Sequence, residues 1–548
     1  MTVTPQATFV ATLVDEWARA GVTDAVVAPG SRSTPLALAL ARDDRIRVHV
    51  HLDERAAGFF ALGIGLASGR PAVVLTTSGT AAVELHPAMV EASQARVPMI
   101  ACTADRPPEL HHVAAPQTVE QANLYGNVVR WFVEPGVADG SEPSAWRSLA
   151  ARIVVEAVAG PAGPGPVHVN LAFRDPLVGD AGELPAGRSD GRPWHDATSR
   201  GATADDPGLA GRRGIVVAGW GAPVAETVEL AQRLHWPVFA DPRSRCRATT
   251  NSIAAFDSIL RVDEWVRSHV PEAVVRIGAP PASKVLSQWL ASLPDGVDQY
   301  VVDPHGGWPD PERRATARLA AVPSVEVQDW SRAIWLAHWM TAEDAAQHAI
   351  DAALSRCGGA TEPGTIRALT RELSPETVLF VSSSMPVRDI EWFGSPRSTH
   401  LVLANRGANG IDGVVATALG VAAADPATPV VAIVGDLAFL YDSSALLWAA
   451  RRDVDLTIVV LDNAGGGIFS FLPQRDAVYA PTFEQLFTTP HDVDIPALAA
   501  VHGIPSVDRA GEGTGVRLVH VRTDRDSNVR LHALLNDAVA EAVMATGL

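Results

Sequence analysis

A chain of 548 residues is long enough for several domains rather than one. Its 47% hydrophobic and 19% charged residues are an ordinary globular balance, and no apolar run is long and charge-free enough to read as a membrane span. The net charge of −18 argues against nucleic acid as a default partner, but it leaves anionic small substrates open, because a few local arginines override the global field.

The first stretch, MTVTPQATFVATLVDEWARAG, lacks the basic start, apolar core and cleavage site of a signal peptide and reads as an amphipathic helix. Cys102, Cys246 and Cys357 are far apart and form no metal-like pair, so the expected setting is a reducing cytoplasm. A first block then alternates strand and helix: strands at 24–31, 46–53, 71–79, 97–105 and 166–173, with a helix running from Glu54 to about Gly69. Such alternation implies a parallel sheet covered on both faces. The Gly-, Asp-, Arg- and Pro-rich stretch 179–208 reads as a linker. A second block repeats the rhythm with strands at 214–221, 236–241, 273–281, 299–307 and 324–329, and a helical stretch near 331–356 leads out of it. The third block has strands at 377–384, 400–407, 429–436, 455–463 and 516–524, then a closing helix. The fold class is therefore α/β: three doubly wound parallel sheets in series, with domains expected at 1–184, 185–345 and 346–548.

In a parallel sheet, ligands bind beyond the carboxyl ends of the strands. Asp436 ends the run PVVAIVGD, and Asn463 ends DLTIVVLDN 27 positions later. That gap suits a strand–helix–strand return, which would bring a carboxylate and an amide oxygen to one point. Asn463 is followed by AGGG, where Gly465 can offer a backbone carbonyl. Oxygen donors of this kind suit a hard cation such as Mg2+, which commonly takes one carboxylate plus substrate phosphates. Gly435 lets the backbone approach closely, and the amides of Leu437 and Ala438 at a helix start can face phosphate oxygens. The alternative is that Asp436 only caps a helix and DNAGGG is only a loop.

The Asp436–Asn463 stretch resembles the thiamine diphosphate motif, with Leu437 in place of the usual third glycine and Asp462-Asn463 in place of the usual Asn-Asn pair. Longer stretches narrow the likeness. VVAPGSRSTPLALAL, HLDERAAGFFALGIGLASG, TADRPPEL, NRGANGIDG and DNAGGGIFSFLP together resemble the 2-succinyl-5-enolpyruvyl-6-hydroxy-3-cyclohexene-1-carboxylate (SEPHCHC) synthase family of menaquinone biosynthesis. The likeness spans the first and third blocks and is weaker in the middle one. It implies thiamine diphosphate with Mg2+, Mn2+ or another divalent cation, and 2-oxoglutarate and isochorismate as substrates joined with loss of carbon dioxide. It also implies a dimer or tetramer with active sites between subunits. Within it, Glu54 is the acid beside the aminopyrimidine; a helix-start glutamate favoured by the helix dipole is the other reading. Two dicarboxylate substrates call for arginine forks, and the matched loops supply Arg32, Arg106, Arg388 and Arg406. The resemblance further implies Ser31 and Gln117 as polar substrate partners and Ser384 beside the cofactor. Ile411 would prop the bent cofactor, with Ile468, Phe469 and Leu472 as an apolar wall. Lys284, the sole lysine, aligns with a basic position of the family; it either reaches the site mouth or is a solvated helix residue.

Two rivals stay open on these residues. One is another thiamine enzyme, such as an acetohydroxyacid synthase or a 2-oxoacid decarboxylase. The other is a nucleotide-binding regulatory protein, suggested by the incomplete dinucleotide fingerprint GWGAPV at 219–224. In the middle block, Arg276 interrupts the apolar run AVVRIGAPP. Either it pairs with an acid such as Asp303 or Glu272, or, with Arg96, it forms a regulatory anion site at that sheet's switch point.

Overall fold

The computed structural model describes residues 2–141, 143–196, 204–326, 333–396 and 398–548. Three parallel sheets follow one another along the chain. The first consists of β1 (Asp24–Val27), β2 (Arg47–Val50), β3 (Ala72–Thr76), β4 (Met99–Asp105), β5 (Trp131–Val133) and β6 (Pro166–Ala172), in the order β2-β1-β3-β4-β6-β5. The second holds β7 (Gly214–Ala218), β8 (Val238–Ala240), β9 (Ser252–Ile253), β10 (Ala273–Ile277), β11 (Asp298–Val302) and β12 (Ala317–Leu319), in the order β12-β11-β10-β7-β8-β9. The third is β13 (Val378–Val381), β14 (Val402–Leu403), β15 (Val430–Gly435), β16 (Leu456–Asp462) and β17 (Val516–Arg522), in the order β14-β13-β15-β16-β17. Every residue of β1, β3, β4, β6, β7, β10 and β16 is buried. Helices cover both faces, so these strands are largely apolar, with buried exceptions such as His168, Asn170 and Arg276.

Strand order reverses between β1 and β3 in the first sheet and between β13 and β15 in the third. Each reversal opens a crevice at the carboxyl ends of the strands, the place where doubly wound sheets hold ligands. The segments after those strands carry Ser31, Thr77, Ser384 and Asp436.

The two outer domains are joined by a close helix crossing. Helix Glu54–Ser68 lies against helix Val414–Ala424, with Gly63 facing Gly420. A Cβ on Gly63 would come within 2.1 Å of the Thr417 carbonyl, and one on Gly420 within 2.1 Å of the Phe60 carbonyl. Both helices are therefore buried along almost their whole length, which explains their unbroken apolar sequence.

Several expectations need correction. The strand expected at 324–329 lies partly outside the described residues, and Ser324–Glu326 is not a strand; β12 at Ala317–Leu319 takes that place in the sheet. Two further strands, β5 and β9, escape the sequence pattern because they are edge strands of three and two residues. Between β15 and β16 the expected helical stretch is a six-residue helix, Asp436–Tyr441, followed by two 3-10 turns. The helical stretch expected near 331–356 is seen as the helix Ala333–Leu354. Among the described residues, no helix is long and apolar enough to cross a membrane, and Cys102, Cys246 and Cys357 are free thiols.

Candidate active site

The third domain encloses a cavity of ≈ 540 Å3 at its switch point. Its walls bring together Ser384, Arg388, Arg406, Ile411, Gly435, Asp436, Leu437, Ala438, Asn463, Gly465, Ile468 and Phe469, all singled out by the sequence. Asp436 is 2% exposed, yet its carboxylate is well supplied with donors. Oδ1 accepts the Leu437 amide at 2.7 Å, and Oδ2 accepts the Gly465 amide at 2.7 Å and lies 3.2 Å from Nε2 of His491. Burial nevertheless pushes its pKa up from the usual carboxylate value; the two amides only reduce the effect. The Leu437 amide, expected to face a phosphate, is thus occupied by its neighbour's carboxylate.

Asn463 shows how the site is aimed. Its Nδ2 donates to Oε1 of Glu362 at 3.0 Å, which leaves Oδ1 buried with no hydrogen-bond partner. A buried amide oxygen without a donor is costly unless something else fills its lone pairs. Gly467 makes room for this amide, because a Cβ there would stand 2.6 Å from Nδ2 of Asn463. Gly465 adopts φ +147, and a Cβ there would strike the Thr488 carbonyl at 2.4 Å, so the turn requires glycine. A buried carboxylate and an orphaned amide oxygen on adjacent strand ends fit a hard cation carrying phosphate oxygens. The donor set passes that test with Asp436 and Asn463 as protein ligands, and the Gly465 carbonyl, which accepts only the Gly467 amide at 2.9 Å among backbone donors, has a lone pair left.

Two residues of this site were not found from the sequence. Glu362 is 1% exposed, and burial, helped by nearby Asp389, raises its pKa to about 7. It sits far upstream in TEPG and carries no motif of its own; only the fold brings it to Asn463. His491 is the other. With Asp436 and Asp462 it forms a set of potential ligand atoms lying within 4.8 Å of one another. Asp462, however, is taken up by His520 at 2.7 Å and by the Ala464 amide at 3.0 Å. Ser384 begins its helix at φ +75, a strained conformation for a residue with a side chain and one that clusters at functional sites.

The cavity wall also carries two arginines. Arg388 is held by its own helix, with Nη1 donating to the Ser384 carbonyl at 2.6 Å. Arg406 keeps a buried Nε without a partner, and burial together with the nearby Arg243 and Arg388 lowers its pKa to about 10.

The first-domain cleft is separate. It is lined by Pro29–Ser31, Asp53–Arg55, Thr77, Thr80, Ala81, Glu84 and Gln117, with no third-domain residue on its wall. Glu54 opens the helix Glu54–Ser68, whose N-cap Asp53 accepts the Ala56 amide. Desolvation raises the Glu54 pKa, its own backbone amide opposes this, and the charges of Asp53 and Glu84 push it further up. Nearby, Arg106 donates to the Ser78 hydroxyl, and Arg32 donates to the Phe173 carbonyl at 3.0 Å. The two guanidinium groups are close enough that Arg32 helps lower the pKa of Arg106, after burial.

Six of the residues singled out from the sequence line neither opening: Arg32 and Arg106, close to the first-domain cleft, and four others. Leu472 follows the apolar wall but does not line the cavity. Lys284 is exposed at the start of helix Lys284–Ser292 and lines a separate ≈ 250 Å3 cavity of the central domain. Arg276 is held by Asp310 at 2.6 Å and Glu312 at 2.7 Å, and Arg96 by Asp303 at 2.6 Å. The ion-pair reading of Arg276 therefore matches the structure, with partners other than Asp303 or Glu272. Arg96 and Arg276 line different cavities.

Family models match the chain in three consecutive parts. The thiamine pyrophosphate enzyme N-terminal TPP binding domain covers residues 7–124, the middle domain of thiamine pyrophosphate covers 192–381, and the C-terminal TPP binding domain covers 383–518. Relatives named 2-succinyl-5-enolpyruvyl-6-hydroxy-3-cyclohexene-1-carboxylate synthase align end to end. The one from Chloroflexus aurantiacus is 41% identical over 98% of this chain and 97% of its own length. The one from Thermobifida fusca is 42% identical over 98% of this chain and 100% of its own.

The chain belongs to the SEPHCHC synthase family.

As a member of that family it carries the thiamine diphosphate-binding domains at both ends, so the two clefts at the switch points lie in domains built for that cofactor. Among solved structures, a Rhodococcus jostii RHA1 thiamine diphosphate-dependent 4-hydroxybenzoylformate decarboxylase superposes with a TM-score of 0.68 over 94% of this chain and 99% of its own. At 16% identity that likeness concerns the fold alone.

Proposed function

We propose that the protein joins 2-oxoglutarate to isochorismate with loss of carbon dioxide, forming SEPHCHC in menaquinone biosynthesis, with thiamine diphosphate and Mg2+ or a similar divalent cation. The observation that carries this reading is the third-domain cavity. An acidic protein there places two largely buried arginines, Arg388 and Arg406, on the wall shared by Asp436 and the unpartnered Oδ1 of Asn463. Two dicarboxylate substrates call for such forks; a decarboxylase of a 2-oxoacid with no second carboxylate has less need of them.

When bound, thiamine diphosphate supplies the electron sink for decarboxylation and carboligation. Asp436, Asn463 and the Gly465 carbonyl would hold the cation, with Gly435, Leu437 and Ala438 beside the diphosphate. Ser384 would lie next to the cofactor, Ile411 would prop it, and Ile468 and Phe469 would shield the reacting centre from water. Glu54, whose pKa is raised by desolvation and by the charges of Asp53 and Glu84, would share a proton with a ring nitrogen of the aminopyrimidine. Ser31, Arg32, Arg106 and Gln117 would meet substrate from the same side. Because the Glu54 cleft and the Asp436 cavity are separate within one chain, this reading pairs the cleft of one subunit with the cavity of another, in a dimer or tetramer. The domains in this reading are the pyrimidine-binding, central and diphosphate-binding units, at about 1–184, 185–345 and 346–548. The free thiols fit a reducing cytoplasm.

The test is whether purified protein consumes isochorismate only when 2-oxoglutarate, thiamine diphosphate and a divalent cation are all present. Consumption of 2-oxoglutarate that is indifferent to isochorismate would point instead to a simple decarboxylase.

A further inference from the structure

Arg406 poses a problem of aim. Its guanidinium has no ion-pair partner among the described residues, and its Nε is buried without a hydrogen bond. Arg388, in contrast, is fixed by the Ser384 carbonyl. The direction of Arg406 must therefore come from the backbone that carries it. That backbone is the loop of residues 406–413, which also carries Ile411, and no regular element of the third domain holds its first half.

What holds it is a carboxylate from another domain. Glu91, in the helix His86–Ala95, is 3% exposed. Its Oε1 accepts the Gly407 amide at 2.6 Å, and its Oε2 accepts the Ala408 amide at 2.6 Å and the Asn409 amide at 3.3 Å. Three consecutive N–H groups converging on one anion form a backbone nest. Close contact reinforces it. A Cβ on Gly407 would stand 2.6 Å from the Ala95 amide nitrogen and 2.7 Å from the Glu91 carbonyl, so the loop is pressed onto the last turn of the first-domain helix. Among the described residues Glu91 has no arginine or histidine in ion-pair range, so a buried carboxylate is satisfied by this loop's amides.

We infer that Glu91 is a positioning residue, which acts across the domain boundary to aim Arg406 at a substrate carboxylate. This rests on the reading of Arg406 as a substrate-binding residue. Glu91 itself touches neither clefts' candidate ligands nor the reacting atoms; it acts through the 406–409 backbone.

A double-mutant cycle on the full-length protein tests the inference. KM and kcat for 2-oxoglutarate and isochorismate would be measured in Glu91→Ala, Arg406→Ala and the double variant. Thiamine diphosphate affinity would be followed by intrinsic tryptophan fluorescence, and folding by circular dichroism. The expected result for Glu91→Ala is a rise in KM for one dicarboxylate of up to about 100-fold, the scale of a 1 Å misplacement, with kcat and cofactor affinity changed far less. In the Arg406→Ala background the same substitution should add almost nothing. Glu91→Gln, which keeps one acceptor oxygen, should recover part of the loss. Full additivity, or an equal loss of cofactor affinity, would overturn the inference while leaving Arg406 as a binding residue. An Arg406→Ala variant with unchanged KM would instead sink the reading of Arg406 itself. If Glu91→Ala does not fold, Glu91→Gln and Gly407→Ala, which displaces the loop by steric contact alone, are put through the same cycle.

Discussion

The first-domain cleft and the third-domain cavity are built on the same plan but surround a carboxylate with different neighbours. Each lies at the switch point of a parallel sheet, and in each an acid opens a helix just past a strand. Asp436 stands among donors: two backbone amides and His491. Glu54 stands among acids: desolvation raises its pKa, its own backbone amide opposes this, and Asp53 and Glu84 push it up again. Burial raises the pKa of both; the Gly465 and Leu437 amides oppose that at Asp436, and the charges of Asp53 and Glu84 add to it at Glu54. Position in the fold therefore selects where a functional group sits, and the neighbours select its chemistry.

The sharpest way to break this contrast is Glu54→Gln. If Glu54 carries a proton, turnover should fall on the order of 10²–10⁴-fold while cofactor affinity is kept, as read from steady-state rates and a fluorescence titration. Near-normal turnover would make Glu54 a helix-start residue only.

Next come the arginines that set the third-domain cavity apart. Arg388→Ala and Arg406→Ala should each weaken use of the dicarboxylates by about 2–5 kcal/mol, much of it from leaving a buried carboxylate unpaired. Cofactor affinity should barely move. Equal losses in both would make these side chains structural.

The donor-rich surroundings of Asp436 are tested through the cation. Asp436→Ala should weaken Mg2+ and thiamine diphosphate together, and chelation of the wild type should do the same reversibly. Glu362→Leu, which frees the Asn463 amide to turn, should raise the half-saturating Mg2+ concentration by about 10–100-fold, the range for an outer partner of a metal ligand. Unchanged Mg2+ dependence in both variants would reduce the Asp436–Asn463 stretch to a turn.

The smallest effect concerns stability. Glu362 has its pKa raised to about 7 and Glu391 to about 8, both chiefly by burial. Between the ordinary glutamate value and those raised values these two groups bind more protons in the folded state than in the unfolded chain, so their contribution to stability is greatest at the acid side of this window and falls as pH rises through it. Buried His51 and His168, with pKa values lowered to about 2 and about 3, act in the opposite sense below pH 6.5, so the readout is a difference: between pH 5 and pH 8 the slope of Tm against pH should be more positive in cofactor-free Glu362→Gln than in the wild type. An unchanged slope would contradict the assignment.

The sequence by itself determined the three parallel sheets, because strands buried on both faces must be largely apolar runs, and such runs are visible without a structure. It also pointed to strand ends that the fold brings to one cavity. Asp436, Asn463, Ser384, Arg388, Arg406 and Phe469 end on one cavity because each lies at or just beyond a strand of the same sheet. Short edge strands such as β5, β9 and β12 left no periodic signal, and their two or three residues depend on a neighbour's ladder. Only the tertiary structure decided the supporting groups. Glu362 meets Asn463 across 101 positions of chain, and Glu91 meets the Arg406 loop across 316. Both are buried carboxylates that hold an amide, and a carboxylate in a helix looks the same in sequence whether it faces water or a distant N–H. Local pattern records which face of an element is apolar; which polar group it meets is set by how whole domains pack.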